Sequence, residues 1–494
     1  MSPKALVPEE SQYHGGLYQR LHRFYRGTTF QAIILGLVSF TQPGIWDALN
    51  SLGAGGQAKP YVVNAANAVT FAIMVLFSPL TAIVGNKYSL KWVFVFGTLG
   101  YVPYCAALYC NSVYGTQWFM IFGAATCGFS ASALWTAEGA IAVGYPEANR
   151  RGICGECWKI QYQTRTNDVK VAIWMSLNKI GRLIASSIQL GISVNQKDSN
   201  KAGAIDPQVY LVLIGLTCAG LPLSLLISPP EKVIRRDGTK PVFTSRQTTL
   251  KQGCRDFWAV CKTKHIYMLI PIFITAQWGQ TYNGNYLAAY FSVRGRTLAG
   301  FVVTIVAIIV NLLMGFAMDS EFVRRSNRAR YLWGIIATIY IISWIYQFIN
   351  EVDFSKHEPE LDFVDGGYGR GVGAYMVYRI AYEACGTWMY WILGTYDAEI
   401  DKLALTSALL RSGESFGSTM SYAVGSTSSA SLMTNLIVAF VVWIAAVPTT
   451  TWSALQVKDV TRAWSEQTGS DSDRADGLTK DGGRIVVAPD SIQA

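Results

Sequence analysis

Charge is scarce in this sequence. Of 494 residues only 15% are Asp, Glu, Lys or Arg, against roughly 25% in an ordinary soluble domain. Histidine is limited to His14, His22, His265 and His357, all outside the apolar blocks, which argues against a metal or acid–base centre built on imidazoles. No Asn-x-Ser/Thr acceptor occurs, so glycosylation marks no outer loop. Of nine cysteines, Cys105, Cys110, Cys127, Cys218 and Cys385 sit inside apolar blocks, where Cys behaves as a small hydrophobe. Cys154 and Cys157 have redox or zinc-ligand spacing, yet no second pair accompanies them. Gly369-Arg-Gly371-Val-Gly373 lacks the preceding strand that a dinucleotide loop needs. No nucleophile–base set is recognisable. Neither an enzyme, nor a cofactor, nor a metal centre is expected.

What fills the chain instead is apolar. Hydrophobic residues make up 51%, gathered into blocks of about 20, each long enough to cross a ~30 Å hydrocarbon core. Backbone groups in lipid must be satisfied within their own element, so such blocks are helices. The expected fold is an all-α membrane protein of about twelve transmembrane helices: 29–51, 61–85, 92–111, 116–144, 172–193, 209–228, 266–290, 298–318, 331–349, 373–395, 404–427 and 432–452. Residues 1–28 are polar and end in Arg20, Arg23 and Arg26, with no cleavable signal, so the first span should serve as its own insertion signal. A basic linker, 229–265, divides the spans into halves 29–228 and 266–452, as in a duplicated transporter. The tail, 453–494, is polar and expected to be disordered.

Orientation follows from Lys and Arg in the loops. A cytosolic N-terminus collects Lys87, Lys91, Arg150, Arg151, nine basic residues from Lys232 to Lys264, and Arg324, Arg325, Arg328 and Arg330 on one face. The opposite face receives Lys59, Lys197, Lys201, Arg294, Arg296, Lys356 and Arg370, with an acidic loop at 350–372. Both termini are therefore expected in the cytosol, in the plasma membrane or an internal, vacuolar-type membrane. The net charge of +9 comes from these basic loops, so no nucleic acid is expected as a partner. The lipid bilayer is.

Ionisable residues inside spans cost roughly 2.5–3.5 kcal/mol at a helix centre, so they face a cavity or a partner. Asp47, Glu138, Lys179, Arg182, Arg379, Glu383, Arg411 and Glu414 are the candidates. Arg379 and Glu383 are four apart, and Arg411 and Glu414 three apart, so each pair shares a helix face; each is either a cavity wall or a local ion pair. Glu138 has no basic residue within a turn of its own helix, and either carries protons or pairs with Lys179 or Arg182 on the next span. Asp47 has the same two readings. Gln277, Gln280, Tyr282, Asn283 and Asn285 make the seventh span polar, and Asn64 and Asn67 lie together on the second. Gln42-Pro-Gly44 with Asn50, and Gln277-Trp-Gly279 with Asn285, keep equal spacing, a faint repeat between the halves.

Taken with Leu134-Trp-Thr-Ala-Glu138-Gly, Gly144-Tyr-Pro-Glu-Ala-Asn-Arg-Arg-Gly152, Phe40-Thr-Gln-Pro-Gly-Ile-Trp-Asp47-Ala-Leu-Asn50 and Gly100-Tyr-Val-Pro-Tyr-Cys-Ala-Ala-Leu-Tyr109, the chain resembles the Unc-93-like branch of the major facilitator superfamily. The superfamily's loop signature, Gly-x-x-x-Asp followed by basic residues, is degraded. Ala82 and Asn86 hold its Gly and Asp places, followed by Lys87 and Lys91; Gly315 and Asp319 are intact, but Arg324 and Arg325 come late. The resemblance implies a secondary transporter of an unidentified small organic solute; in such a protein the charged residues give Glu138 and Asp47 as coupling or gating carboxylates, protons being one coupling ion, with Arg379 and Glu383 lining the central cavity. It equally admits a non-transporting protein that regulates or stabilises a membrane partner.

Residues 156–171 depart from the family pattern. Gly155-Glu-Cys can be encoded with GTGAGT, Thr166-Asn with ACTAAC and Val171-Ala with TAG, the donor, branch-point and acceptor signals of an intron. Excision would join Cys154 through one Ala to Ile173 in frame. The stretch is read as either a retained intron or a real cytosolic insertion.

Overall fold

A computed structural model describes residues 17–51, 60–145, 180–188, 190–191, 207–234, 249–319, 322–396, 400–426 and 431–459. Segment 156–171, the first half of the expected fifth span and the tail beyond 459 lie outside the described residues. Helix stands at all twelve expected places. Span 1 is Thr28–Asn50, span 2 Pro60–Lys87, span 3 Leu90–Tyr114 and span 4 Gln117–Gly144. Span 5 is described over 180–191, and span 6 is Pro207–Leu225. Span 7 is Lys264–Tyr290, span 8 Val293–Asp319, span 9 Arg325–His357, span 10 Tyr368–Tyr396, span 11 Ile400–Gly425 and span 12 Leu432–Gln456.

Among the described residues, eight of these helices are individually long and apolar enough to cross a membrane, or nine with the bent pair Lys251–Lys262 and Lys264–Tyr290. The shortfall has physical causes. Span 5 is described only in part, and spans 10 and 11 carry Arg379, Glu383, Arg411 and Glu414 within the helix. The outward surface is that of a protein dissolved in lipid: Leu312, Leu313 and Phe316 on span 8, and Ile341, Ile342, Ile345 and Ile349 on span 9, are exposed. A soluble protein does not tolerate contiguous apolar patches of that size.

Buried apolar side chains form two clusters. One runs from Ile34 to Val233 and the other from Val260 to Val457, with Val293 at the start of span 8 joining the first. Each six-helix half thus has its own core. Lipid offers no hydrophobic drive between helices, so close approach through small residues does that work. Span 3 lies against span 4 this way: a Cβ on Gly100 would stand 2.0 Å from the Thr126 carbonyl oxygen.

The connectivity gives the bundle a near face, where the chain enters span 1, and a far face. Near-face span ends carry cation–aromatic pairs: Lys87 on Tyr88, Lys91 on Trp92, Lys262 on Trp258, Lys264 on Trp452 and Arg328 on Trp391. Such residues gather at a membrane–water boundary. On the far face the structure corrects the expected 350–372 loop, because span 9 continues to His357. Glu351 is therefore a buried helical residue, taking hydrogen bonds from the hydroxyls of Tyr282 (3.0 Å) and Tyr290 (3.3 Å). Arg296, also placed in a loop by the sequence, is buried in span 8. Beyond Glu358 the chain returns to span 7, where Leu361 N–H donates to Tyr290 O (2.8 Å) and Ser292 N–H to Leu361 O (2.9 Å). Asp362 closes this junction on Ser292 (2.6 Å) and Arg294.

Candidate functional site

Two broken helices face each other across the bundle. Span 1 passes through a π-helical turn, Phe40–Gly44, that contains Pro43. Proline removes a backbone donor, and the extra residue of a π turn rotates everything after it, Asp47 included, to a new face. The turn is held by span 6. Gln42 Nε2 donates to Thr217 O of span 6 (2.8 Å), and Gly220 leaves room for that amide, since a Cβ there would stand 1.6 Å from it.

Span 7 breaks at the matching place. Its helix stops at Ala276 and resumes at Gly279, with Gln277 and Trp278 between. The sequence repeat around Gln42 and Gln277 therefore marks a shared structural event. Span 11 supports this break through a four-residue stripe of small residues. Gly413 meets Phe273, Gly417 meets Ile274, Ser421 Oγ donates to Trp278 O (2.5 Å), and Gly425 meets Thr281. In span 5, Gly181 packs on Phe40 just before Arg182, as Gly413 packs on Phe273 just before Glu414.

Between the breaks lies a charged network. Arg182 pairs with Asp47 and reaches Glu383 across the halves, Nη1 to Oε1 at 3.6 Å. Glu383 also accepts from Arg379 Nη2 (2.7 Å) and Asn311 Nδ2 (2.9 Å). Arg379 donates on to Gln280 Oε1 (3.1 Å) and lies over the Tyr382 ring, and Thr387 donates to Asn311 Oδ1 (2.5 Å). A second group sits beside it: Arg411 pairs with Glu414 (3.0 Å) and lies over the rings of Trp135 and Tyr390, with Gln277 next to Glu414. Glu138 is fully buried and close enough to Arg411 to act on it electrostatically.

The expected spacings Arg379–Glu383 and Arg411–Glu414 are thus ion pairs. Glu138 is not paired with Arg182, which Asp47 and Glu383 occupy, and Lys179 lies outside the described residues. Towards the far face, Asn285 accepts from Asn64 across the halves (2.8 Å), Asn64 also donates to Gly425 O (3.0 Å), and Phe71 stacks on Tyr422 (5.7 Å, 8° between planes). Asn283 stays within its own half, bonded to Gly279 O (2.8 Å) and Gln347 (3.2 Å).

Among the described loop-signature side chains, Lys87, Lys91, Arg324 and Arg325 stand apart from this site. Lys91 donates to Leu225 O (2.9 Å) and Lys87 covers Tyr88; Arg324 and Arg325 stand at the start of span 9. The side chains of Asn86 and Asp319 lie outside the description. Sequence reasoning missed Asn311 and Thr387, although an amide in the otherwise apolar run of span 8 was a readable signal. It also missed the span 11 stripe, visible as Gly413-x-x-x-Gly417. Among the described residues no group of three or more His, Cys, Asp or Glu is placed to hold a metal ion.

No family model matches the chain. Whole relatives do. Notoamide biosynthesis cluster protein O' of Aspergillus versicolor is 31% identical over 408 residues, 82% of this chain and 84% of that protein. An UNC93-like protein of Schizosaccharomyces pombe is 26% identical over 414 residues, 82% of this chain and 78% of the other, and UNC93-like protein 1 of Arabidopsis thaliana 25% over 418, 83% and 86%. The chain belongs to the UNC93-like family. Two crystal structures of the nucleoside transporter NupG, one of them of a mutant, superpose with TM-scores of 0.54 and 0.52 at 13% and 14% identity. They span 87% and 86% of this chain and 100% and 98% of NupG. That likeness establishes the fold, a major facilitator bundle, for this UNC93-like membrane protein.

Proposed function

We propose that this UNC93-like protein is a secondary transporter of a small organic solute, working by alternating access with proton coupling. The observation that carries the reading is the Arg182–Glu383 contact, which ties the halves at mid-bundle while each partner keeps a second partner, Asp47 or Arg379, in its own half. A solute or proton that takes Glu383 releases the bridge, leaving Arg182 on Asp47 and Arg379 on Gln280 and the face of Tyr382. Carboxylates buried within the bundle, here Glu138, Glu383 and Glu414, are seats that a proton can take during transport. The names of two similar proteins, one from a biosynthesis cluster and one a nucleoside transporter, fit a small organic cargo. The lysine and arginine bias makes the near face cytosolic, in the plasma membrane or an internal, vacuolar-type one.

The test is a solute screen in proteoliposomes with and without a pH gradient. Glu138→Gln should abolish pH-driven uptake while the protein still folds and inserts. Loss of the protein itself from the membrane would mark Glu138 as structural and end its coupling role. One observation favours a second reading: each guanidinium of the network already has a carboxylate partner. A protein that only stabilises a membrane partner would move no solute in the screen and would co-purify with that partner.

A further inference from the structure

The helix Leu17–Arg26 precedes span 1 and belongs to neither core cluster. At 100° per residue, Leu17, Tyr18, Leu21, Phe24 and Tyr25 fall within about 120° of one another, and Gln19, Arg20, His22, Arg23 and Arg26 take the remaining arc. Three residues of that arc stand open, Tyr18 at 80% exposed, Leu21 at 58% and Phe24 at 60%, while Tyr25 is half-buried against Phe30. The helix is nevertheless fixed in place. Ile234 N–H donates to Arg26 O (2.9 Å), and span 1 begins at Thr28, one residue past Gly27. The apolar arc therefore stands at the membrane boundary, where the near-face cation–aromatic pairs lie.

Charge on this patch has one sign in excess. Arg26 and Lys232 are close enough to Lys91 for their positive charges to act on it, Arg23 is exposed beside them, and Glu231 is the acid in that stretch. A cavity of about 130 Å³ opens between Arg23, Phe24, Thr29 and Ile234. We propose that Leu17–Arg26 is an interfacial helix that docks on an anionic phospholipid leaflet, its apolar arc entering the acyl boundary and its arginines meeting lipid phosphates. A helix with segregated basic and aromatic faces binds membranes in this plane, and each arginine near an anionic surface strengthens binding about fivefold.

The arginines are themselves trypsin sites, which supplies the assay. Full-length protein is placed in nanodiscs of phosphatidylcholine alone or with about a third phosphatidylserine, and cutting after Arg20, Arg23 and Arg26 is timed by mass spectrometry. Phosphatidylserine should slow cutting at least tenfold, and Leu21→Gln with Phe24→Gln should restore fast cutting, since the arginines stay and no acidic residue is placed beside them. The lipid comparison needs no variant, so a misfolded variant cannot mask the result. Equal rates in the two lipids would overturn the proposal. So would equal protection in detergent, which would mean that the helix rests on protein.

Discussion

The bridge between the halves can be tested by a double-mutant cycle on Arg182 and Glu383. At 3.6 Å, two unit charges in a medium of effective dielectric about 20 attract by roughly 4–5 kcal/mol. The measurable coupling is smaller, because Arg182 keeps Asp47 and Glu383 keeps Arg379 and Asn311 when the other is lost. Each single change, Arg182→Gln or Glu383→Gln, should cost about 3 kcal/mol, the low end for breaking a buried pair. The double variant should cost about 1–2 kcal/mol less than the sum. Unfolding of the purified full-length protein in detergent, followed by tryptophan fluorescence, gives the four values. Additivity within about 0.5 kcal/mol would show that the contact couples nothing, and the transport reading would lose its main support.

Gly417→Ala should destabilise the protein by about 1–3 kcal/mol, since its Cβ would stand 1.7 Å from the Ile274 carbonyl oxygen, whereas Gly139→Ala, with nothing within 4 Å, should be neutral or better; thermal melting of both variants decides. Glu358 ends span 9 at φ 40°, a left-handed conformation that glycine adopts freely, so Glu358→Gly should raise stability by about 0.5–1 kcal/mol in the same assay. Burial disfavours the Asp362 carboxylate, but hydrogen bonds from Ser292 and Arg294 outweigh it and hold its pKa below the ordinary carboxylate value. Its stabilisation is complete above the unfolded value of about 4 and is lost as pH falls through the lower folded value, so Asp362→Asn should flatten that acid limb of a melting-versus-pH curve. If 156–171 is translated intron, deleting it with Cys154 joined through one Ala to Ile173 should preserve or improve membrane insertion. Mature transcripts that overwhelmingly retain the stretch would refute that origin.

Much of the fold was legible because lipid imposes a local rule. A backbone in hydrocarbon must close its own hydrogen bonds, so apolar runs located the helices, including the described part of span 5 and spans 10 and 11, whose charges make them less apolar than the rest. Span ends were less legible, since polar residues do not stop a helix that leaves the membrane. Span 9 runs eight residues past its apolar block, through Glu351 and Asp353, because a helix in water still satisfies its backbone. The left-handed turn at Glu358 ends it, and nothing in composition marks that turn.

The site divides along the same line. Arg379–Glu383 and Arg411–Glu414 could be read because both members share a helix, where spacing alone sets proximity. Asp47–Arg182, Arg182–Glu383 and Asn64–Asn285 join residues 135, 201 and 221 positions apart, and no periodicity carries that information. What the sequence did hold was the requirement that such partners exist, since a charge inside the bilayer is too costly to stand alone. The breaks decide which partners meet. Pro43 and the π turn rotate Asp47, and the Gln277–Trp278 interruption turns the second part of span 7 towards Asn64. The weak repeat of Gln, Gly and Asn in spans 1 and 7 therefore recorded the geometry that gathers the charges better than any charged residue did.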